Sequence, residues 1–364
     1  MNTSHHLATL KRFIHGELVH LFTVNKSQRP WHVPFIAATA ISVPVFVGAY
    51  FGNLPSGIKA SLGALVILNL PLVGKLPYRI VTMLTWSFAM LLCFTLGLIT
   101  QHLPILRVPV FAVVTFVVVV LGRYYRQPPP SGLFIIMAMA IALFMPLPLA
   151  GVLPAIGVMM LGSGFAVIIA LCYSVFLIMT RPVRSAPSYV YEPDTISESL
   201  VVTGFVSLTL ILAMMLKMSN PYWAAVSCLI IIQGIHLRTI WIKQFHRLLG
   251  TLLGIGLASW MLSWGLSMWG VATALLIMML SIESLIDRHY GLAVIFITPL
   301  TIFLAEYGSG LPLVPEMYGE IIQARMLDTA LGCLMGLGGG LVMHSTKIRT
   351  PLRRVEHWLL VQLS

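Results

Sequence analysis

The sequence predicts an all-α polytopic membrane protein of about twelve transmembrane helices, arranged as two parallel six-helix repeats behind an amphipathic N-terminal helix. Three observations carry that prediction. Apolar residues make up 58% of the 364 residues, charged residues only 9%, and mean hydropathy is +0.94. No soluble domain can hide so large an apolar fraction, because even a large core leaves much of the chain facing water. The apolar residues fall in runs of helix-spanning length, where a transmembrane barrel would show short alternating strands. Finally, the polar residues fall into a regular series of short turns between those runs.

Residues 1–30 are mixed in character, with no cleavable signal peptide expected. Leu7, Leu10, Ile14, Leu18 and Leu21 recur at helical spacing between His5, Lys11, Arg12 and Glu17. That pattern predicts an interfacial amphipathic helix on the cytoplasmic side. The first repeat, 31–180, then gives spans at about 32–51, 57–74, 78–100, 107–123, 131–149 and 153–179. Lys75 and Arg79 mark the turn before the third span, and Arg123 and Arg126 the turn after the fourth. A Pro-, Ser- and charge-containing linker follows at 181–197. The second repeat, 198–345, gives spans at about 198–216, 221–237, 243–264, 268–285, 290–306 and 320–344, before a tail at 346–364. Arg238 and Lys243 mark the turn into the ninth span, and Arg288 the turn into the eleventh.

With both termini in the cytoplasm, only Lys59, Arg107, Lys217 and Arg325 of the 22 Lys and Arg fall in the outer half. This is the imbalance that the positive-inside rule predicts for a correct topology. The net charge of +11 is therefore an orientation signal for a lipid bilayer, and nucleic acid is not expected as a partner. The halves also resemble each other. Ala60-Ser-Leu-Gly before a basic turn answers Ala225-Val-Ser-Cys, and Gly132-Leu-Phe-Ile-Ile answers Gly291-Leu-Ala-Val-Ile. Six spans per half give both repeats the same orientation, with an axis along the membrane normal.

The strongest chemical signal is Arg247-Leu-Leu-Gly-Thr-Leu-Leu-Gly254, echoed by Arg325-Met-Leu-Asp-Thr-Ala-Leu-Gly332. Gly250 with Gly254, and Gly332 with Gly336, make small-xxx-small faces, and these predict that spans nine and twelve pack on each other. The charges need a separate account, since ionisable groups within a membrane are costly and mark function or pairing. Asp328 lies about two turns into span twelve, with Arg325 three residues before it on the same face. A structural ion pair accounts for both residues. The functional alternative is that Arg247 or Arg325 offers positive potential to an anionic substrate while Asp328 takes and releases a proton.

Further polar candidates are Asn69 and Gln233, at matched places in the two repeats, and Thr298, whose Pro299 neighbour breaks the helical ladder and frees a carbonyl. A kink alone also explains Thr298-Pro299. Glu283, Asp287, Arg288 and His289 read as a solvated turn with local pairing, and His246 as an interfacial side chain. Cys93, Cys172, Cys228 and Cys333 all fall in apolar spans without metal-ligand spacing, and read as small buried hydrophobes. No hydrolase elbow, zinc motif, phosphate loop or dinucleotide fingerprint is present. Neither enzymatic activity nor a cofactor is expected.

Pro221-Tyr-Trp-Ala-Ala-Val-Ser-Cys-Leu-Ile-Ile-Ile-Gln233, the Arg247 motif, Tyr290-Gly-Leu-Ala-Val-Ile-Phe-Ile-Thr-Pro299 and Arg325-x-x-Asp-Thr-x-x-Gly332 stand in that order. Over about 220–345 this series resembles the fusaric acid resistance family, also called aromatic acid exporters. The resemblance implies a bacterial inner-membrane exporter of aromatic or other organic carboxylic acids, driven by the proton gradient. Plant aluminium-activated malate channels look like distant relatives with six spans per subunit. The resemblance thus also implies a second mechanism, passive anion conduction, and a possible homo-oligomer. A non-transporting membrane scaffold is a third reading. Long members of the family carry a cytoplasmic domain after each half, where this chain has only 181–197 and 346–364, so a periplasmic adaptor partner is less expected. The first half has apolar residues (Met83, Leu84, Met160, Leu161) where the second carries Arg247 and Asp328, so a charged site is expected in the second half alone.

Overall fold

A computed structural model gives the fold, and residues 23–27, 29–182, 185, 194–233, 237–309, 318–345, 351 and 356 are described. The expected amphipathic helix lies mostly outside them, as do most of the linker and tail. The described residues form twelve α-helices. They are α1 (Val33–Tyr50), α2 (Leu54–Ala64), α3 (Leu76–Thr100), α4 (Arg107–Tyr124), α5 (Leu133–Ala142) and α6 (Leu149–Thr180), then α7 (Thr195–Met215), α8 (Pro221–Ile232), α9 (Leu237–Leu262), α10 (Met268–Leu285), α11 (Tyr290–Ser309) and α12 (Tyr318–His344).

Local chemistry sets the boundaries. Proline stands in the first turn of α1, α2, α3 and α8, where its missing N–H costs nothing. Asn53 accepts a hydrogen bond from Ser56 N at 3.2 Å and Ser267 one from Gly270 N at 3.2 Å, each capping a helix start. Gly52 and Gly265, at φ +67° and +57°, turn the chain in the left-handed region after α1 and α9.

Among the described residues nine helices are long and apolar enough to cross a membrane, and the chain is a multi-pass membrane protein. Three of the expected full spans are shorter: α2 with the 3-10 turn Leu65–Asn69, α5, and α8. The 12 residues of α8 rise only about 18 Å, against a hydrocarbon core of about 30 Å. Pro146 and Pro148 follow α5 closely and Pro71 follows the 3-10 turn, so these helices cannot continue. Short helices leave unpaired backbone groups at membrane depth, which is tolerated only where protein surrounds them. That is their position: every residue of α8 except Ile230 is buried, as is every residue of α5 except Leu133, Phe134 and Ile141.

The long helices pack around them. In the second half α12 lies along α8 and α9 along α11, with α9 also meeting α12. In the first half α6 lies along α2 and α3 along α5, with α3 also meeting α6. The halves meet through α1 on α10, α4 on α7, α2 on α11 and α5 on α8. Arg123 at the end of α4 pairs with Glu198 near the start of α7. From the tail, buried Glu356 accepts hydrogen bonds from Ile196 N and Ser197 N, both at 3.1 Å.

The outward surface is apolar, with exposed aromatic side chains at both ends of the bundle. Tyr50, Phe51, Trp260, Trp264 and Trp269 are at one end, and Trp31, Tyr124, Tyr125 and Trp241 at the other. Two such girdles are what the membrane–water interfaces select. Cys93, Cys228 and Cys333 are buried as expected, whereas Cys172 is exposed on α6.

Candidate functional site

Both glycine pairs are packing faces, but spans nine and twelve do not use them to meet each other. A Cβ on Gly250 would stand 2.7 Å from Val294 Cβ and 2.8 Å from Gly291 O, and one on Gly254 2.7 Å from Thr298 Cβ and 2.8 Å from Ile295 O. This face therefore brings α9 onto α11. Gly332 and Gly336 face Ala224, Ser227, Cys228 and Ile231, and so bring α12 onto α8. The α9–α12 contact runs instead through Gly340, whose added Cβ would stand 2.5 Å from Ile240 Cδ1. The physical reason lies in rotation about the helix axis: residues four apart share one face, and each pair is spent on the neighbour it already touches.

These close approaches draw Arg247, Arg325 and Asp328 into the interior, 2%, 4% and 1% exposed. Arg247 donates from Nη2 to Ser227 Oγ on α8 at 3.1 Å, and from Nη1 to Tyr290 Oη on α11 at 3.3 Å. Arg325 donates from Nη2 to Thr301 Oγ1 on α11 at 2.9 Å, and its guanidinium lies over the Trp223 ring of α8 at 4.1 Å. A desolvated cation on an indole face is stabilised by about 2 kcal/mol or more. Thr301 in turn donates to Thr298 O at 2.9 Å, and Thr298 to Val294 O at 3.0 Å. Thr298 thus reaches Arg325 through its carbonyl and Thr301. Arg325 lies within electrostatic reach of Arg247, Asp328 and Tyr222, so four helices contribute to one charged centre.

The expected ion pair of Arg325 with Asp328 is not formed. The ion pairs among the described residues are Arg29 with Glu283 and Asp287, and Arg123 with Glu198. The Arg325 guanidinium is engaged by Thr301 and Trp223, and both Asp328 carboxylate oxygens are buried without a hydrogen-bond partner. Arg247 Nε and Arg325 Nε and Nη1 are likewise unpartnered. Each orphaned buried group costs about 1–3 kcal/mol, and more where charged. Arg247, Arg325 and an ionised Asp328 sum to one positive charge, and the Glu306 carboxyl of α11 also lies within electrostatic reach of Tyr222. A monoanion with several acceptor oxygens would meet both the free donors and the excess charge.

Asn69 and Gln233 stand elsewhere. Asn69 ends the 3-10 turn after α2, with a buried unpartnered Nδ2, and Gln233 follows the last residue of α8. Ser227, Trp223, Tyr290 and Thr301 complete the site beyond the residues expected from the sequence. Trp223 and Ser227 stand inside the Pro221 motif and Tyr290 opens the Tyr290–Pro299 motif, whereas Thr301 lies just beyond it with no signal of its own. Two smaller expectations also change. Glu283 is buried against Arg29 rather than solvated, and His246 is buried with its ring 4.5 Å from that of His289.

Residues 206–338 match the family described as fusaric acid resistance protein-like. No curated protein matches the chain, and no solved structure matches it. The matched stretch contains every residue of the charged centre, and it points to membrane transport and efflux. The resemblance read from the motifs of the second half therefore holds across 206–338, where the chain is similar to the fusaric acid resistance protein-like family.

Proposed function

We propose that the chain is a secondary efflux transporter of aromatic or other organic carboxylic acids, coupled to protons, in the bacterial inner membrane with both termini cytoplasmic. The observation that carries this reading is the buried pair Arg247 and Arg325 with unused N–H donors beside the unpaired Asp328. We further propose that 31–180 and 198–345 are parallel six-helix repeats. The matched helix pairs α2–α6 with α8–α12, α3–α5 with α9–α11, and α1–α10 with α7–α4 support that division. On this reading α8 is a short helix at the repeat interface, where transport folds hold their substrates.

The carboxylate of the substrate binds between Arg247 and Arg325, and its ring lies against the Trp223 and Tyr222 side. With Asp328 ionised, a bound monoanion makes the buried centre neutral, so the loaded state carries no net charge through the bilayer. On the return step Asp328 carries a proton inward. One anion out and one proton in move two charges down an inside-negative potential. That supplies about 2.3 kcal/mol per charge per 100 mV, so about 5 kcal/mol in all, enough for a gradient of more than a thousandfold.

Proteoliposomes loaded with 4-hydroxybenzoate or malate test this, with pH gradient and potential imposed separately. Efflux of the aromatic acid should be accelerated by each, and Arg247→Ala and Asp328→Asn should abolish the pH-driven part. Flux that follows voltage and ignores the pH gradient would make the chain an anion channel. No flux of either acid would leave a scaffold.

A further inference from the structure

A second arginine–aromatic site stands in the first half of the chain. The turns at 101–107 and 143–148 line an open cleft of about 400 Å³, within the volume range of small-molecule sites. Gln101, His102 and Arg107 line it on the polar side, and Phe144, Pro146 and Pro148 on the apolar side. Arg107 Nη2 donates to Gln101 O at 2.6 Å, while its Nε is buried without a partner. The Gln101 side chain donates to Leu147 O at 3.2 Å and so ties the two turns together. The Arg107 guanidinium sits 5.6 Å from the Phe144 ring centroid, repeating the pairing of Arg325 with Trp223.

The two sites are joined. Phe144 meets Tyr222 with ring centroids 6.1 Å apart, and Tyr222 meets Trp223 at 5.1 Å. Phe144, Tyr222 and Trp223 therefore form a continuous aromatic run with an arginine over each end. Under the proposed topology the cleft is at the outer end of the bundle. Arg107 is then one of four cations on a side the positive-inside rule depletes, and orientation does not explain it.

We propose that this cleft is a second, outer subsite for an aromatic carboxylate, with Arg107 holding the carboxylate and the Phe144–Pro148 wall the ring, and that the acid passes between it and the central site along the Phe144–Tyr222–Trp223 run. The inference rests on the transport reading above. Electrostatics selects an anion at Arg107, and the apolar aromatic wall selects a flat ring over a hydrated phosphate or an aliphatic diacid.

Equilibrium binding of radiolabelled 4-hydroxybenzoate to the full chain in zwitterionic nanodiscs tests it. Wild type should show two classes of site. Arg107→Gln should weaken one class at least tenfold and leave the other, and Arg325→Gln should do the reverse. Because Arg107 also holds the end of α3, Phe144→Leu gives a gentler second test. It should weaken the Arg107-dependent class about fivefold for 4-hydroxybenzoate and leave competition by cyclohexanecarboxylate unchanged. A single class in wild type that Arg325→Gln removes overturns the outer subsite and leaves the central site standing. Two classes that both survive Arg325→Gln overturn the central site instead. Loss of the second class on adding phosphatidylglycerol would make Arg107 a lipid-headgroup site and also overturn the proposal.

Discussion

Arg325 and Asp328 are not in contact, yet each should depend on the other for its place in the interior. Neighbours three apart on a helix face have Cβ atoms about 5–6 Å apart. At about 6 Å and an effective dielectric of about 20, opposite unit charges attract by about 3 kcal/mol. Asp328→Asn removes that attraction and leaves two buried arginines in mutual repulsion. Arg325→Gln leaves the carboxylate with only Arg247 to balance it. Either single change should lower stability by about 2–3 kcal/mol, at or just below the cost of about 3–5 kcal/mol for removing one partner of a buried pair in contact. The double variant should fall short of the sum by about 2 kcal/mol, since it removes both charges together. Cys228 and Cys333 are fully buried on α8 and α12, so thermal unfolding is read by a thiol-reactive dye. The exposed Cys172 is first changed to serine to remove the background. Losses that add to within about 0.5 kcal/mol would refute the claim that the two charges form one centre.

Three other outcomes follow from particular contacts. Gly254→Ala should cost about 1–3 kcal/mol by overpacking α9 against Thr298 and Ile295, whereas Gly256→Ala, with nothing within 4 Å of its added Cβ, should be neutral in the same melting assay. Glu356→Ala removes the carboxylate that accepts from Ile196 N and Ser197 N; hydrogen bonds to a charged group contribute about 1.5–3 kcal/mol, and hydrogen exchange at the first turn of α7 should speed up while α8 is unaffected. Partial burial, with Arg181 nearby, holds the His32 ring below its ordinary value of 6.5, and the ring is bonded to Tyr173 Oη at 2.7 Å. A lowered folded-state value means the unfolded chain binds the proton more readily, so this contribution is complete above about pH 6.5 and is lost on acidification. The melting midpoint should fall between pH 7 and 5 in wild type and fall less in His32→Phe.

Composition and pattern along the chain set the class and the number of apolar helices, and they mark Arg247, Arg325 and Asp328 as charges placed in apolar segments. Those follow from composition, run length and the cost of ions in hydrocarbon, all of which are local properties. They also mark Gly250, Gly254, Gly332 and Gly336 as close-packing positions, because a missing side chain has that meaning in any membrane helix. Which helices those glycines bring together is settled by packing in three dimensions. A small-residue face carries no address, so α9 on α11 and α12 on α8 could not be separated from α9 on α12. The lengths of α2, α5 and α8 were hidden for a related reason: apolar residues continue past each helix end, and burial by neighbours, which hydropathy does not record, lets the backbone stop early. The Arg325–Asp328 spacing fitted an ion pair, but Thr301 and Trp223, distant in sequence, take the guanidinium and leave the carboxylate alone. Spacing along one helix fixes which side chains can meet, and competition from the surrounding helices decides which of them do.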